Sequence, residues 1–373
     1  MTLKKKTVLG AILFIFIIAG TQLALLYRKP LGPALQLPAS TEPSPTLIAF
    51  PGSTGEADST PTEIQSPTVM AATSTATPQP ACGGPAVMNI LAVGSDARGD
   101  HYLYGLADII RLVRVDFVKK QVGILEVPRD LWVDIPEISD HYGITQGKLN
   151  QAYLYGNKGL GYYDGADEGP GLLARTLNLN FGARPDHYLA VNMITFRNIV
   201  DAVGGIDVNL PEEISVRSRS NPKGFAIPEG QHHIDGETAL WVARIREYST
   251  FSRADNQNIV MCALYKKLMS PASVRSIPQL VTDFQQHVQT DLSPQQISQL
   301  ACLANEMNGT GVYFAGFPMD MFKNAKVFDP QLKATTSILE ADYDLMRDYI
   351  DRFQKGTWPV FDPTLVTEAG ICD

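Results

Sequence analysis

"VMNILAVGSDARGDHYLYGLADIIRLVRVDFVKKQVGILEVPRD", residues 87–130, decides the fold. It holds three apolar runs, 87–94, 107–117 and 121–128, the last two parted by the polar hinge "VKK". Short runs rich in Val, Ile and Leu read as strands, the first of them with both faces buried. Charge sits at the ends of all three. Asp96 and Arg98 follow the first run, Asp108 opens the second, and Arg129 and Asp130 follow the third. In an α/β sheet, side chains at strand ends converge on one crevice, where ligands usually bind.

Downstream of this stretch, strand and helix patterns alternate. Helical spacing runs over 148–155, 171–179 and 194–203, with the strand "DHYLAVN" before the last and "DAVGGIDVNLP" closing that helix into a glycine turn and another strand. Asp235 caps a helix whose first residues are "GETALWVARIR", and a second helix covers 253–269. Ser293 and Pro294 open a third, the strand "GVYFAGFP" follows, and a last helix is predicted from Ser337 to Phe353. Alternation of this kind predicts a three-layer α/β domain over 86–356, with 357–373 as a C-terminal tail. The pair His232, His233 lacks the HExxH spacing of a zinc site and reads as a polar turn ahead of a helix.

Upstream, Lys4, Lys5 and Lys6 precede an apolar run from Thr7 to Tyr27, long enough as a helix to cross about 30 Å of hydrocarbon. A cleavable signal peptide is the competing reading; the length of the run and the lack of a small-x-small cleavage site favour a retained single-pass anchor over residues 1–29. The excess of lysines places the N-terminus in the cytoplasm and the body outside. Residues 30–85, rich in Pro, Ser and Thr, read as an extracytoplasmic linker. The chain has 373 residues and a formal net charge of -8, so it has no general attraction to nucleic acid, and any anion-binding surface is local. Cys82, Cys262, Cys302 and Cys372 suit two disulfides in an exported protein. Cys82 and Cys372 bracket the body and the other two lie in helical patterns, so the expected pairs are 82 with 372 and 262 with 302, although sequence alone leaves the pairing open.

One further stretch, "ALWVARIREYSTFSRADNQ", sets Arg244, Arg246 and Arg253 beside apolar residues that a core would normally claim. Arg253 and Gln257 are four apart and share a helix face. An arginine near a core keeps its charge and is matched by an anion held in its planar fork. Several arginines facing two or three aspartates suit a pyrophosphate with a divalent cation.

Six strings, in order, now resemble the motifs of one family: "NILAVGSDARG", "ADIIRLVRVD" with "VGILEVPRDLWVDIP", "GKLNQAY", "VDAVGGIDVNLP", "IPEGQHHIDGETALWVARIR" and "FSRADNQ". The chain is similar, from Met88 to Gln257 and more weakly beyond, to the LytR-CpsA-Psr family. That resemblance implies an α-β-α sandwich around a mixed central sheet, with a long hydrophobic pocket for a polyprenyl chain. It implies a membrane-anchored phosphotransferase that moves a glycan-phosphate from a polyprenyl-pyrophosphate carrier to a cell-wall polymer, typically peptidoglycan, with Mg2+. On the matching positions, Asp96 and Asp108 correspond to metal ligands and Arg129 to the arginine of the PRD motif; Arg244, Arg253 and Gln257 correspond to positions that bind phosphate or line the site. Arg246 joins them as a substrate-binding candidate, and Lys148 and Asn150 of "GKLNQAY" brace the site. The chain departs from the pattern at Leu106 and Asn256, where the family usually has arginine, and at Thr250, where an acidic residue is common. Arg98 or Arg111 is the expected replacement for the lost charge, and Asp130 is the candidate general base. A member reduced to binding polyprenyl phosphates or wall glycans is the alternative these departures raise.

Overall fold

A computed structural model describes residues 27–39, 78–99, 102–216, 225–245, 250–270, 287–307, 311–359 and 372. The predicted anchor, apart from residues 27–29, lies outside them, as do Arg246 and most of the predicted linker and tail. The fold is mixed α/β with a six-stranded central sheet in the order β11-β6-β1-β2-β3-β12. The three runs that opened the sequence form its centre: β1 (Val87–Ser95), β2 (Ala107–Asp116) and β3 (Gln121–Glu126), successive and antiparallel. β6 (His187–Asn192) runs parallel to β1, β12 (Val312–Ala315) runs parallel to β3, and β11 (Val288–Thr290) closes the far edge antiparallel to β6. Two-stranded pairs decorate this sheet. They are β4 (Trp132–Asp134) with β5 (Gln146–Lys148), β7 (Ile206–Leu210) with β10 (Gly230–Ile234), β8 (Ile214–Val216) with β9 (Phe225–Ile227), and β13 (Phe322–Asp329) with β14 (Ala334–Ala341).

Seven helices among the described residues cover both faces of the sheet. On one face α1 (Leu149–Gly156), α2 (Glu168–Phe181) and α7 (Tyr343–Lys355) seal Leu91, Val93, Ile110, Leu112 and Leu125 in the largest core cluster. Period-two alternation explains the other face: Met88 and Ile90 of β1, Val115 of β2 and Ile124 of β3 point away from that cluster. They pack with α6 (Pro294–Met307) and α5 (Thr250–Met269). α3 (Met193–Ala202) and α4 (Gly236–Arg244) join α5, β7 and β10 in a third cluster around Val200, Val208, Ile234 and Val242.

Local signals set the helix starts. Asp235 accepts from the Thr238 N–H at 2.9 Å, and Ser293 with Gln296 forms a reciprocal cap at the head of α6. Asn192 caps α3 by accepting from Thr195 N–H at 2.8 Å.

The structure corrects three expectations. Ser337 to Ala341 is strand, not helix: "ATTSILEA" pairs residue by residue with "FKNAKVFD", and helix begins only after Asp342, which accepts from the N–H groups of Asp344 and Leu345. His232 and His233 lie within β10, paired with Val208 and Asp207, rather than in a turn. The disulfides join Cys82 to Cys302 and Cys262 to Cys372, the reverse of the expected pairing. The physical reason is that the Ala81–Gly83 turn carrying Cys82 packs on α6, beside Cys302, while Cys372 lies in the core cluster that holds Met261 and Cys262 of α5. The start of the expected linker also packs on the body. Leu35 and Leu37 lie against the main core, and the Gln36 N–H donates to Asp167 at 3.1 Å.

Candidate functional site

The strand order brings the charged strand ends to one edge. Ser95 at the end of β1 faces both Ala107 of β2 and Asn192 of β6, with a bulge between Gly94 and Ser95. Asp96 continues from β1, and its backbone and side chain are both held by Leu106: Asp96 N–H donates to the Leu106 carbonyl at 3.0 Å, and Leu106 N–H to Asp96 Oδ1 at 2.6 Å. Asp108 follows two residues later. Because β3 runs antiparallel to β2, with Val127 N–H bonded to the Ile110 carbonyl, Arg129 returns beside Asp108 and their side chains form a close ion pair. Asp96, Asp108 and Arg129 thus meet at one edge of the sheet.

The cluster extends through the β3–β4 link. Asp130 stands between two cations, 3.4 Å from Arg129 Nε and 3.4 Å from Lys148 Nζ. Arg129 Nε is buried and makes no hydrogen bond, its contact with Asp130 having only ion-pair geometry. Asn150 N–H donates to the Arg129 carbonyl at 3.1 Å and its buried Oδ1 has no partner. Arg98 is exposed and acts on Asp96 only through its charge. Burial pushes the Asp96 carboxyl above the usual carboxylate range, and the charge of Asp108 adds to this; the Leu106 N–H, Arg129 and Arg98 oppose it.

Beside this cluster opens a cavity of about 260 Å³ between the sheet and α3, α4 and α5. Its walls are largely apolar, with Ile109, Val191, Phe196 and Leu240 among them, and Ser95, Asp108, Asn192, Arg244 and Gln257 are its charged and polar groups. Arg244 is exposed, at the last residue of α4, with its guanidinium 5.8 Å from the Trp241 ring centroid. This placement explains arginine after an apolar run. The buried face of α4 is Gly236, Ala239, Val242 and Ala243, and Arg244 comes at its end, at the cavity.

Gln257 is buried on α5, donating to the Ala243 carbonyl at 3.2 Å and accepting from Arg111 Nη2 at 3.3 Å. Arg253 lies on the first turns of α5; its side chain, like that of Thr250, falls outside the described atoms. Arg111 is 1% exposed, pairs with Glu126 at 3.1 Å, and does not line the cavity that holds Arg244. Sequence reasoning passed over Ser95, Asn192, Met193 and Phe196. Asn192 did carry a signal, as an Asn at the end of a strand and the head of a helix.

For a divalent cation, Asp96 and Asp108 offer oxygen ligands from adjacent strand ends, and Asp96 is held above its usual range in part by the neighbouring negative charge. These are the two side chains that would hold such an ion, with Arg129 sharing Asp108. Among the described residues, Cys82, Cys302 and Glu306 also cluster, but the two cysteines are bonded to each other in a disulfide and do not offer thiolates.

This geometry can be compared with known proteins. A family model described as LytR_cpsA_psr matches residues 57–342. The chain belongs to the LytR_cpsA_psr family. Among its relatives in that family, regulatory protein MsrR of Staphylococcus aureus (strain COL) is 28% identical over 217 residues, 57% of this chain and 58% of that protein. Polyisoprenyl-teichoic acid--peptidoglycan teichoic acid transferase TagU of Oceanobacillus iheyensis is 30% identical over 217 residues, 57% of this chain and 61% of TagU. Both matches therefore span less than two thirds of the relative's length. TagV of B. subtilis superposes with a TM-score of 0.55 at 22% identity, over 72% of this chain and 97% of TagV. TagT bound to LIIa-WTA superposes at 0.52 and 20% identity, over 72% of this chain and 90% of TagT. At these identities the two structures share the family's fold with this chain.

Proposed function

We propose that this protein is a membrane-anchored extracytoplasmic phosphotransferase that moves a glycan-phosphate from a polyprenyl-pyrophosphate carrier to a cell-wall polymer such as peptidoglycan. One observation carries the reading: an apolar cavity opens directly beside a cluster of Arg129, Lys148, Asp96, Asp108 and Asp130, with Arg244 at its edge. Such a site matches a ligand that is an anion on a hydrocarbon tail. The names of the relatives TagU and TagT, a transferase and a complex with a teichoic acid precursor, support the same chemistry.

In this reading the tail lies along Ile109, Val191, Phe196 and Leu240, and the pyrophosphate stands over the strand ends. Arg244 and Arg129 hold its oxygens. Mg2+ held by Asp96 and Asp108 would neutralise phosphate charge. Phosphoryl transfer asks little covalent chemistry of a protein, so positioning and charge provide most of the rate. Asp130, steered by Arg129 and Lys148, is the group assigned to take the acceptor hydroxyl proton.

Leu106 favours a second reading. It stands where the family usually has an arginine, its N–H fixes Asp96, and its side chain brings no charge. A member that holds the lipid carrier without turnover would show this pattern. The full-length protein in detergent, given a polyprenyl-pyrophosphate-linked glycan and peptidoglycan fragments, separates the two. Transfer that needs Mg2+ and is lost in Arg129→Ala supports the enzyme. Lipid binding without product under any acceptor supports the holding module.

A further inference from the structure

A second cavity, also of about 260 Å³, lies deeper under α5 and α6, lined by Ile90, Val113, Ile124, Met261, Leu300 and Phe314 among others. The two cavities are in line along the strands. On the face of the sheet toward α5, successive rows of facing residues run Gly94 with Ile109, then Ala92 with Arg111, then Ile90 with Val113. The first row borders the outer cavity and the third borders the inner one. The middle row holds an arginine. On α5 the same order recurs one turn apart: Gln257 lines the outer cavity and Met261 the inner one.

Arg111 ties these rows together. Its Nη1 donates to Asn258 Oδ1 at 2.8 Å and contacts Met261 Sδ at 3.1 Å; its Nη2 meets Glu126 Oε2 at 3.1 Å and Gln257 Oε1 at 3.3 Å. Gln257 carries the line on to the Ala243 carbonyl, so a string of polar groups crosses from sheet to α4 between two apolar spaces. A hydrocarbon chain has no hydrogen bonds to replace this string, and displacing it would leave the buried Arg111 guanidinium without its Glu126 partner.

Resting on the carrier reading above, we infer that Arg111 is a specificity-determining bulkhead: it stops a prenyl tail in the outer cavity at Gln257, short of the inner one. At about 30 Å³ of liquid volume for one water-sized group, a space of about 260 Å³ holds about nine such groups, on the order of two isoprene units. The protein therefore reads the tail only near its phosphate, and the rest of a long carrier stays outside the cavity.

The test is binding of prenyl monophosphates of one to four isoprene units to the full-length protein in a neutral detergent. Wild type should tighten from one unit to two and then level off, within about threefold. Ala304→Phe, which fills the inner cavity, should leave this series unchanged. Arg111→Met, or Arg111→Met with Glu126→Gln so that no buried charge is left unpaired, should restore a rise of about tenfold per added unit through four. If wild type keeps tightening through four units and Ala304→Phe abolishes that gain, the inner cavity is in use and the inference is overturned. It is also overturned if wild type levels off and both Arg111 variants level off at the same length. Either failure leaves the carrier reading standing. If no prenyl phosphate binds at any length, the carrier reading itself falls and the bulkhead with it.

Discussion

On one face of the central sheet Leu91, Leu112 and Leu125 are sealed under α1, α2 and α7; on the other Gly94, Ile109 and Val191 border open space under α3, α4 and α5. The strands supply both sets by simple alternation, so the sheet itself does not choose between them. The covering helices do. α1 brings Leu149, Ala152 and Tyr153, each 0% exposed, against the first face. Over the second face, Leu240, Ala243, Arg244 and Gln257 leave a gap that ends in charge. Apolar surface on the first face stabilises the fold, while on the second it is left for a ligand. The difference teaches where to expect stability effects and where to expect functional ones.

The largest expected effect lies at the charged edge of the open face. Arg129→Ala should lower transfer by about 10²–10³-fold, the usual loss when one donor to a developing anion is removed, while the thermal midpoint changes little. A large loss of stability with unchanged activity per folded molecule would break the division between the faces. Next comes the sealed face. Leu125→Ala removes a residue that is 0% exposed and should cost about 2–5 kcal/mol in denaturant unfolding, with substrate affinity unaltered. Cys262→Ser with Cys372→Ser opens a link closing a long loop between α5 and the C-terminal end. It should cost about 2–5 kcal/mol by thermal melting and sharpen the comparison by showing how far α5 depends on that staple. Asp235→Ala deletes the α4 cap and should cost about 1 kcal/mol. The smallest stability effect belongs to the open face: Leu240→Ala, at a half-buried cavity wall, should cost under about 1 kcal/mol yet weaken binding of a prenyl phosphate severalfold.

The two faces also differ in how readable they were. The three opening runs and α2, α3, α5 and α6 carried strong periodicity, and their positions follow from it within a few residues. The region 319–342 did not, because "FKNAKVFD" and "ATTSILEA" form a half-exposed hairpin whose alternation is diluted by exposed Lys and Thr; only the Asp342 cap separates it from the following helix. Of the site, the aspartates and arginines at strand ends were legible as charges abruptly following apolar runs. The distinction between Arg129, at the edge, and Arg111, inside, was not. Arg111 sits within β2 and Arg129 just beyond β3, and what parts them is that Arg111 lies under α5 and next to Glu126 across a strand pairing. Pairing of that kind is set by register and by the helix above, which local sequence does not show. The cysteine partners were illegible for the same reason, since they depend on which helix lies beside which chain end.

The most direct test of the central claim is a crystal structure of the protein with a prenyl pyrophosphate and Mg2+. The account predicts the tail between Ile109, Val191, Phe196 and Leu240, with the pyrophosphate beside Arg129 and Arg244. A tail bound elsewhere, or a pyrophosphate held away from the edge formed by Asp96, Asp108 and Arg129, would contradict it.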